Sequence, residues 1–231
     1  FSTFINEYWY FFLLIVFAAS AVGFFAGLFG IGGGLISVPC LFFIFDTFNF
    51  QDDFLMHLSV GTAFSITIFT STASVLTHRK NKLVDFTIVK SFGVFVVLGV
   101  LLGTFFAAFM NTRSLVLFFS IVVYFFGAYL MLAQVSAGRI KSKIKLYPKI
   151  ILGLISGFIS APIGITGAMM NVPILRYFGY PIAKCIGSAA AIGFFISLFG
   201  AIGFLISGFY FDANLPFSIG FVNLPAFILF V

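Results

Sequence analysis

Charge is the scarcest property of this 231-residue chain: Asp, Glu, Lys and Arg together make up 8% of it, with six acids among them. A soluble domain carries roughly a quarter charged residues, so a water-exposed globular fold is excluded. Cysteine is nearly absent as well. Cys40 and Cys185 both sit in apolar sequence with no CxxC spacing and no histidine partner, which leaves them as small buried hydrophobes and excludes a disulfide framework or a zinc site. With two histidines, His57 and His78, and so few other ionisable groups, no nucleophile, base and orienting group can be assembled. An enzyme is therefore not expected, and no metal or other cofactor is called for. No basic segment precedes the first apolar run, so there is no cleavable signal to recognise. The chain also stops inside an apolar run at Val231, and the full gene product is expected to be longer.

What the chain has in excess is apolar mass: 62% hydrophobic residues, 38 phenylalanines and a mean hydropathy of +1.22. The apolar runs far exceed the roughly 10-residue strands of an outer-membrane barrel and lack their alternation, so helices are the one remaining way to span a bilayer. The fold class expected is all-α, a polytopic helical membrane protein. Its net charge of +6 falls between the spans, as cytoplasmic loops require, and does not indicate nucleic acid.

Glycine interrupts this background twice. Gly23 to Pro39 (GFFAGLFGIGGGLISVP) recurs without a gap as Gly157 to Pro173 (GFISAPIGITGAMMNVP). Identical pairs include Gly23/Gly157, Gly30/Gly164, Gly33/Gly167 and Pro39/Pro173. Gly costs about 1 kcal/mol in a helix interior relative to Ala, so the run Gly32, Gly33, Gly34 breaks a helix and frees peptide groups. Such groups survive at membrane depth only when buried in protein or lining a wet cavity. Gly23, Gly27 and Gly30 have a plainer reading as close-packing positions. A phosphate loop is not supported, since no Lys-Ser/Thr follows.

The first tract, Trp9 to Phe45, is too long for one span of about 20 residues, and its counterpart, Ile150 to Phe178, is too long for one and too short for two. Both suit a helix that enters, breaks and returns. A hydroxyl-rich span, Met56 to Thr77, repeats as Cys185 to Ile206, with Gly61 matching Gly187, Thr62 matching Ser188 and Ser71 matching Ser197. Asp85 then aligns with Asp212 and Gly93 with Gly220; both aspartates are read as helix N-caps. Phe86 to Met110 and Leu115 to Gln134 complete the first half. The organisation is a first repeat over 1–135, a basic connection over 136–148, and a second repeat over 149–231 that lacks its last span.

Loop charge sets the orientation. If each broken stretch crosses once, the basic residues divide nine to three; if each returns to its own side, Arg176 and Lys184 join the basic face and the division is eleven to one. The second treatment fits the positive-inside rule better and makes the two repeats inverted, each containing a broken or re-entrant helix pair. Basic loops 79–82 and 139–149 are then cytoplasmic, and the glycine breaks meet near the midplane, where alternating-access carriers hold substrate.

Half-helices that restart after a break present bare N–H groups and a positive dipole end, which suits a small anion without any fixed cation. The expected substrate-binding residues are Gly32, Gly33, Gly34, Thr62, Ser65, Thr166, Gly167, Asn171 and Ser188, with Ser71 and Ser197 lining the path. For most of these hydroxyls the competing reading is a bond to their own helix. No Asp or Glu lies deep in a span, so the carboxylate relay of proton pumps is missing. His57 and His78 read as polar anchors at the two ends of one span.

The doubled motif resembles the sulfite exporter (TauE/SafE) family. The resemblance lies in Gly30-Ile31-Gly32-Gly33-Gly34 followed by Pro39, in Val60-Gly61-Thr62 and Ile186-Gly187-Ser188, in Val84-Asp85, and in the closing Gly220-Phe221-Val222-Asn223-Leu224-Pro225. It implies a carrier exporting sulfite or a small organosulfur anion across the cell inner membrane. Thr166 and Ala168 depart from it, standing where the family keeps glycine. The alternatives are an anion channel, whose pore the same donors could line, and a non-transporting scaffold or receptor subunit. The expected partners are a small anionic substrate and the lipid bilayer; a homo-oligomer is left open.

Overall fold

The computed structural model describes residues 2–29, 33–132, 146–213 and 215–231. Over these the chain is almost wholly helical. The helices are α1 (Ser2–Phe29), α2 (Gly34–Thr47), α3 (Leu55–Lys80), α4 (Phe86–Ala108), α5 (Thr112–Leu132), α6 (Leu146–Ile163), α7 (Ala168–Tyr177), α8 (Ile182–Tyr210) and α9 (Leu224–Phe230). A two-stranded antiparallel hairpin, β1 (Ser218–Ile219) and β2 (Val222–Asn223), separates α8 from α9. Five helices, α3, α4, α5, α6 and α8, are long and apolar enough to cross a membrane.

Each glycine-rich tract forms two helices. The long α1 and α6 lead into the short α2 and α7, and Pro39 and Pro173 occupy the same sixth position of those short helices. Proline lacks the N–H that would bond four residues back, so α2 and α7 each carry a free carbonyl in their first turn, at Leu35 and Met169. At 1.5 Å per residue α7 is about 15 Å long, half the hydrocarbon thickness. The expected linker 136–148 falls largely on 133–145, outside the described residues. Lys149, expected in a basic loop, lies within α6, and its ammonium donates to the Ser91 hydroxyl at 3.3 Å.

Helix packing follows the small residues. The α4–α6 seam is the most extensive contact in the molecule, and it is a glycine seam. A Cβ on Gly157 would strike the Val96 carbonyl, and one on Gly103 would come within 2.5 Å of the Phe158 carbonyl. That last carbonyl is the one Pro162 leaves without a helical donor. The second seam joins α3 to α8, around buried Phe64, Ile192, Ile196 and Phe204. Across the halves, α4 packs on α6 and α1 on α9, while α3 and α8 pack on each other. Apart from this, α5 stays at the periphery, with Tyr124 82% exposed.

Two sequence expectations change here. Asp85 does cap α4, its carboxylate accepting from the Thr87 N–H at 3.0 Å. Asp212 does not cap a helix: it lies in the turn after α8 at φ +46, and the cap of α9 is Asn223, whose side-chain oxygen accepts from the Ala226 N–H at 3.0 Å. The hairpin inserted after α8 shifts the register, so Asn223 is the structural counterpart of Asp85, and Gly220, aligned with Gly93, sits in a β-turn at φ +54 instead of a helix.

Candidate anion site at the helix breaks

The second interruption is set by two glycines in the left-handed region. Gly164 and Gly167 both have φ +74, a conformation that costs other residues roughly 1–2 kcal/mol. Gly164 and Ile165 donate to the Ser160 carbonyl at 3.1 and 3.3 Å and so close α6; Gly167 stands at the N-cap of α7. The first interruption comes against it directly. A Cβ on Gly34, the first residue of α2, would collide with the Gly164 carbonyl oxygen, and one on Gly164 would press on Val38 of α2 and Val60 of α3. The two chain breaks therefore meet backbone to backbone.

Free donors gather on the α7 side. The Met170 and Asn171 N–H groups bond to the Gly167 carbonyl, but those of residues 166–169 find no backbone or side-chain acceptor among the described residues. These are the orphan groups every helix start leaves open. Asn171 is fully buried. Its Oδ1 accepts from the Ser156 hydroxyl at 2.7 Å, while its Nδ2 is buried with no partner. That nitrogen lies over Gly167, where a Cβ would come within 2.6 Å of it. Thr166 is a buried residue, 7% exposed, and its hydroxyl makes no hydrogen bond with the described residues.

Between the breaks α3 and α8 are joined by hydroxyls. Thr67 donates to Ser197 at 3.0 Å, and Ser197 donates to the Gly193 carbonyl at 2.9 Å. The Thr67 methyl group faces Gly33, and Gly193 lies against the Thr166 carbonyl. The bridge thus touches one residue of each interruption. Among the described buried residues the one His, Asp, Glu, Lys or Arg is His57, and it packs elsewhere. The described buried residues around the breaks carry no formal charge.

The matched motifs around Gly61 and Gly187 form a reciprocal latch. A Cβ on Gly61 would collide with the Phe221 carbonyl, and one on Gly187 would come within 2.6 Å of the Leu83 carbonyl. The next residue in each case accepts the N–H two positions further on: Thr62 from Asn223 at 2.9 Å, and Ser188 from Asp85 at 3.1 Å. Asp85 and Asn223 are the N-caps of α4 and α9. The first half therefore grips the strand leading into α9, and the second half grips the irregular segment leading into α4. A surface ion pair, Lys184 to Asp85 at 3.6 Å, lies over one of the two latches.

Of the residues singled out in the sequence, Gly33, Gly34, Thr166, Gly167 and Asn171 come together at the breaks; Gly32 lies outside the described residues. Thr62 and Ser188 are engaged with the opposite half. Ser65 and Ser71 donate to their own helix, at the Gly61 and Thr67 carbonyls, and Ser197 joins the α3–α8 bridge. His57 is not an interfacial anchor. It is 1% exposed, with Nε2 3.1 Å from the Ala107 carbonyl and its ring among Phe54, Phe204 and Phe221. The hairpin that follows α8 folds back over this end of α3 and removes the histidine from the interface. Thr67 and Ser156 were not singled out: a hydroxyl in a hydroxyl-rich helix carries no mark of whether it faces its own backbone or a neighbour.

Comparison with known proteins agrees with this architecture. Residues 15–231 match the family model for sulfite exporter TauE/SafE. A probable membrane transporter protein of Haemophilus influenzae is 31% identical over 219 residues, covering 94% of this chain and 82% of that protein. One from Methanocaldococcus jannaschii is 30% identical, over 92% of this chain and 78% of its own length. The Bacillus subtilis protein YunE, of the same description, is 25% identical over 85% and 79%. No solved structure matches the chain.

Proposed function

The chain belongs to the sulfite exporter TauE/SafE family, a multi-pass membrane transporter and not an enzyme, and from that premise we propose that it exports sulfite or a small organosulfur or organosulfonate anion by alternating access. The observation that carries the reading is the meeting of the two breaks, with Gly34 seated on the Gly164 backbone and bare N–H groups beside the contact. A helix start is a ready anion site, because unpaired N–H groups and the helix dipole both favour negative charge. Broken helices in corresponding halves are where alternating-access carriers hold substrate.

In this reading the two repeats, 1–135 and 149–231, are inverted, and the connection between them together with the basic loops 79–82 and 139–149 faces the cytoplasm of a cell inner membrane. The exchange of packing partners between the halves, α4 on α6 and α1 on α9, is what two repeats related by an axis between α3 and α8 would produce.

Sulfite efflux from proteoliposomes tests the proposal, with wild type compared against Gly33→Leu and Gly167→Leu. Both variants are expected to lose flux. Normal flux in both, at normal insertion, would remove the breaks from the transport path.

A further inference from the structure

We infer that the seat for the anion is one-sided, lying at the second break, and that it takes a singly charged oxyanion in preference to a dianion. The inference rests on the transport reading above and narrows its substrate class. Among the described residues only the second break combines an N-terminus of unpaired N–H groups with a buried side-chain donor that has no partner, Asn171 Nδ2. The Ser156 hydroxyl fixes the amide by donating to Oδ1 at 2.7 Å, which leaves the NH2 end turned toward Gly167 and the start of α7. At the first break the corresponding residue is Ser37, whose hydroxyl turns back to the Gly34 carbonyl at 3.5 Å. It aims no donor into the gap.

Every group at this seat is neutral. The donors are backbone N–H groups of residues 166–169, one amide and the Thr166 hydroxyl. The walls are largely apolar: Val38, Val60 and Ile196 face the two left-handed glycines, and a small cavity beside the break is lined by Val122, Phe126, Ile165 and Met169 together with one hydroxyl residue, Ser160. The cost of bringing an ion into such a medium rises with the square of its charge, so a dianion loses about four times the hydration energy of a monoanion. Dipoles of fixed size return only about twice the interaction. With no cation among the described buried residues to cover the difference, the seat favours an oxyanion whose second charge is capped by a proton or by a carbon substituent.

The test is anion binding to the full chain in lipid nanodiscs, by calorimetry, with methanesulfonate and sulfate as probes. They are tetrahedral and similar in size, but carry one charge and two. Methanesulfonate is expected to bind at least about tenfold more tightly, a margin near 1.4 kcal/mol. Sulfite binding is expected to weaken as pH rises through its second ionisation while methanesulfonate binding stays level. Asn171→Leu is expected to weaken methanesulfonate about tenfold, and Ser156→Ala, a milder change that only loosens the amide, several-fold. Sulfate binding as tightly as methanesulfonate, with Asn171→Leu weakening both, would overturn the charge preference and leave the seat standing. Unaltered methanesulfonate binding in both folded variants would overturn the seat. No binding of any of the three anions to wild type would overturn the transport reading on which the inference rests.

Discussion

Replacing Thr62 by valine tests the reciprocal latch with almost no change of shape. Valine keeps the volume of threonine and its preference in the helix, but removes the oxygen that accepts the Asn223 N–H. Asn223 is fully buried, so its N–H cannot turn to solvent, and a buried donor left unmade costs about 1–3 kcal/mol. The same residue caps α9, so the loss falls on the hairpin and the start of α9, whose other hydrogen bonds run within the segment itself. Local opening there should rise about 5- to 150-fold for that cost. Hydrogen exchange of peptides covering 218–226, in nanodiscs, reads this directly. Ser188→Ala should act more weakly on residues 83–88, because Asp85 is only part-buried and water can replace the lost acceptor. Ser65→Ala serves as the control, since that hydroxyl bonds its own helix and its removal strands no donor. Exchange at 218–226 that is equal in wild type, Thr62→Val and Ser65→Ala would refute the argument that Thr62 holds the opposite half.

Other perturbations follow from single contacts. Gly164→Ala places a Cβ at φ +74 and against Val38, and should lower thermal stability by at least about 1–2 kcal/mol, visible as a lower melting temperature in detergent. Gly157→Leu drives a side chain into the Val96 carbonyl and should separate α4 from α6; full insertion and an unchanged melt would show that the seam tolerates spreading. His57→Phe keeps the aromatic packing but leaves the Ala107 carbonyl without its 3.1 Å partner, so a loss of about 1 kcal/mol is expected, with His57→Gln nearer to wild type. The Lys184–Asp85 pair has a half-exposed lysine, and Lys184→Gln should change stability by less than about 1 kcal/mol.

The sequence displayed the interruptions because glycine and proline act locally: Gly33, Gly167, Pro39 and Pro173 punctuate a helix wherever it lies. It displayed the pairing of Gly61 with Gly187 through simple repetition. It did not display what those glycines face. In a helix that is apolar all round no face is marked as inner or outer: the repeated glycine beside it sets Thr62 apart, but not what it reaches, which is the opposite half, and nothing marks Ser65 and Ser71 as bonding their own turn. The last segment misled for a different reason. The hairpin Ser218–Asn223 lengthens the connection after α8, and an alignment that allowed only a small shift past Ser71/Ser197 paired Asp85 with Asp212 when the capping role belongs to Asn223. Capping geometry would have favoured that pairing, since Val84-Asp85-Phe86 and Val222-Asn223-Leu224 are both apolar, cap, apolar. The Ser156–Asn171 bond spans the second break, and no spacing rule reaches across an interruption whose path is unknown.

The latches also constrain how the two halves can move. Through Thr62, α3 holds the strand before α9, and through Ser188, α8 holds the irregular segment before α4. Since α3 and α8 are themselves joined by the Thr67–Ser197 bridge, a displacement of one half relative to the other must either carry the opposite segment with it or release a latch. The two releases are not equal. Freeing Asn223 strands a buried donor, whereas freeing Asp85 exposes a part-buried N–H and parts an ion pair that water screens. The cheaper opening is therefore at Ser188, and a spin-label pair on exposed residues 86 and 186 should show a broader distance distribution than one on exposed residues 224 and 69. Equal breadth in both pairs would mean that the halves move as one body or that the hydroxyls do not set the order of opening.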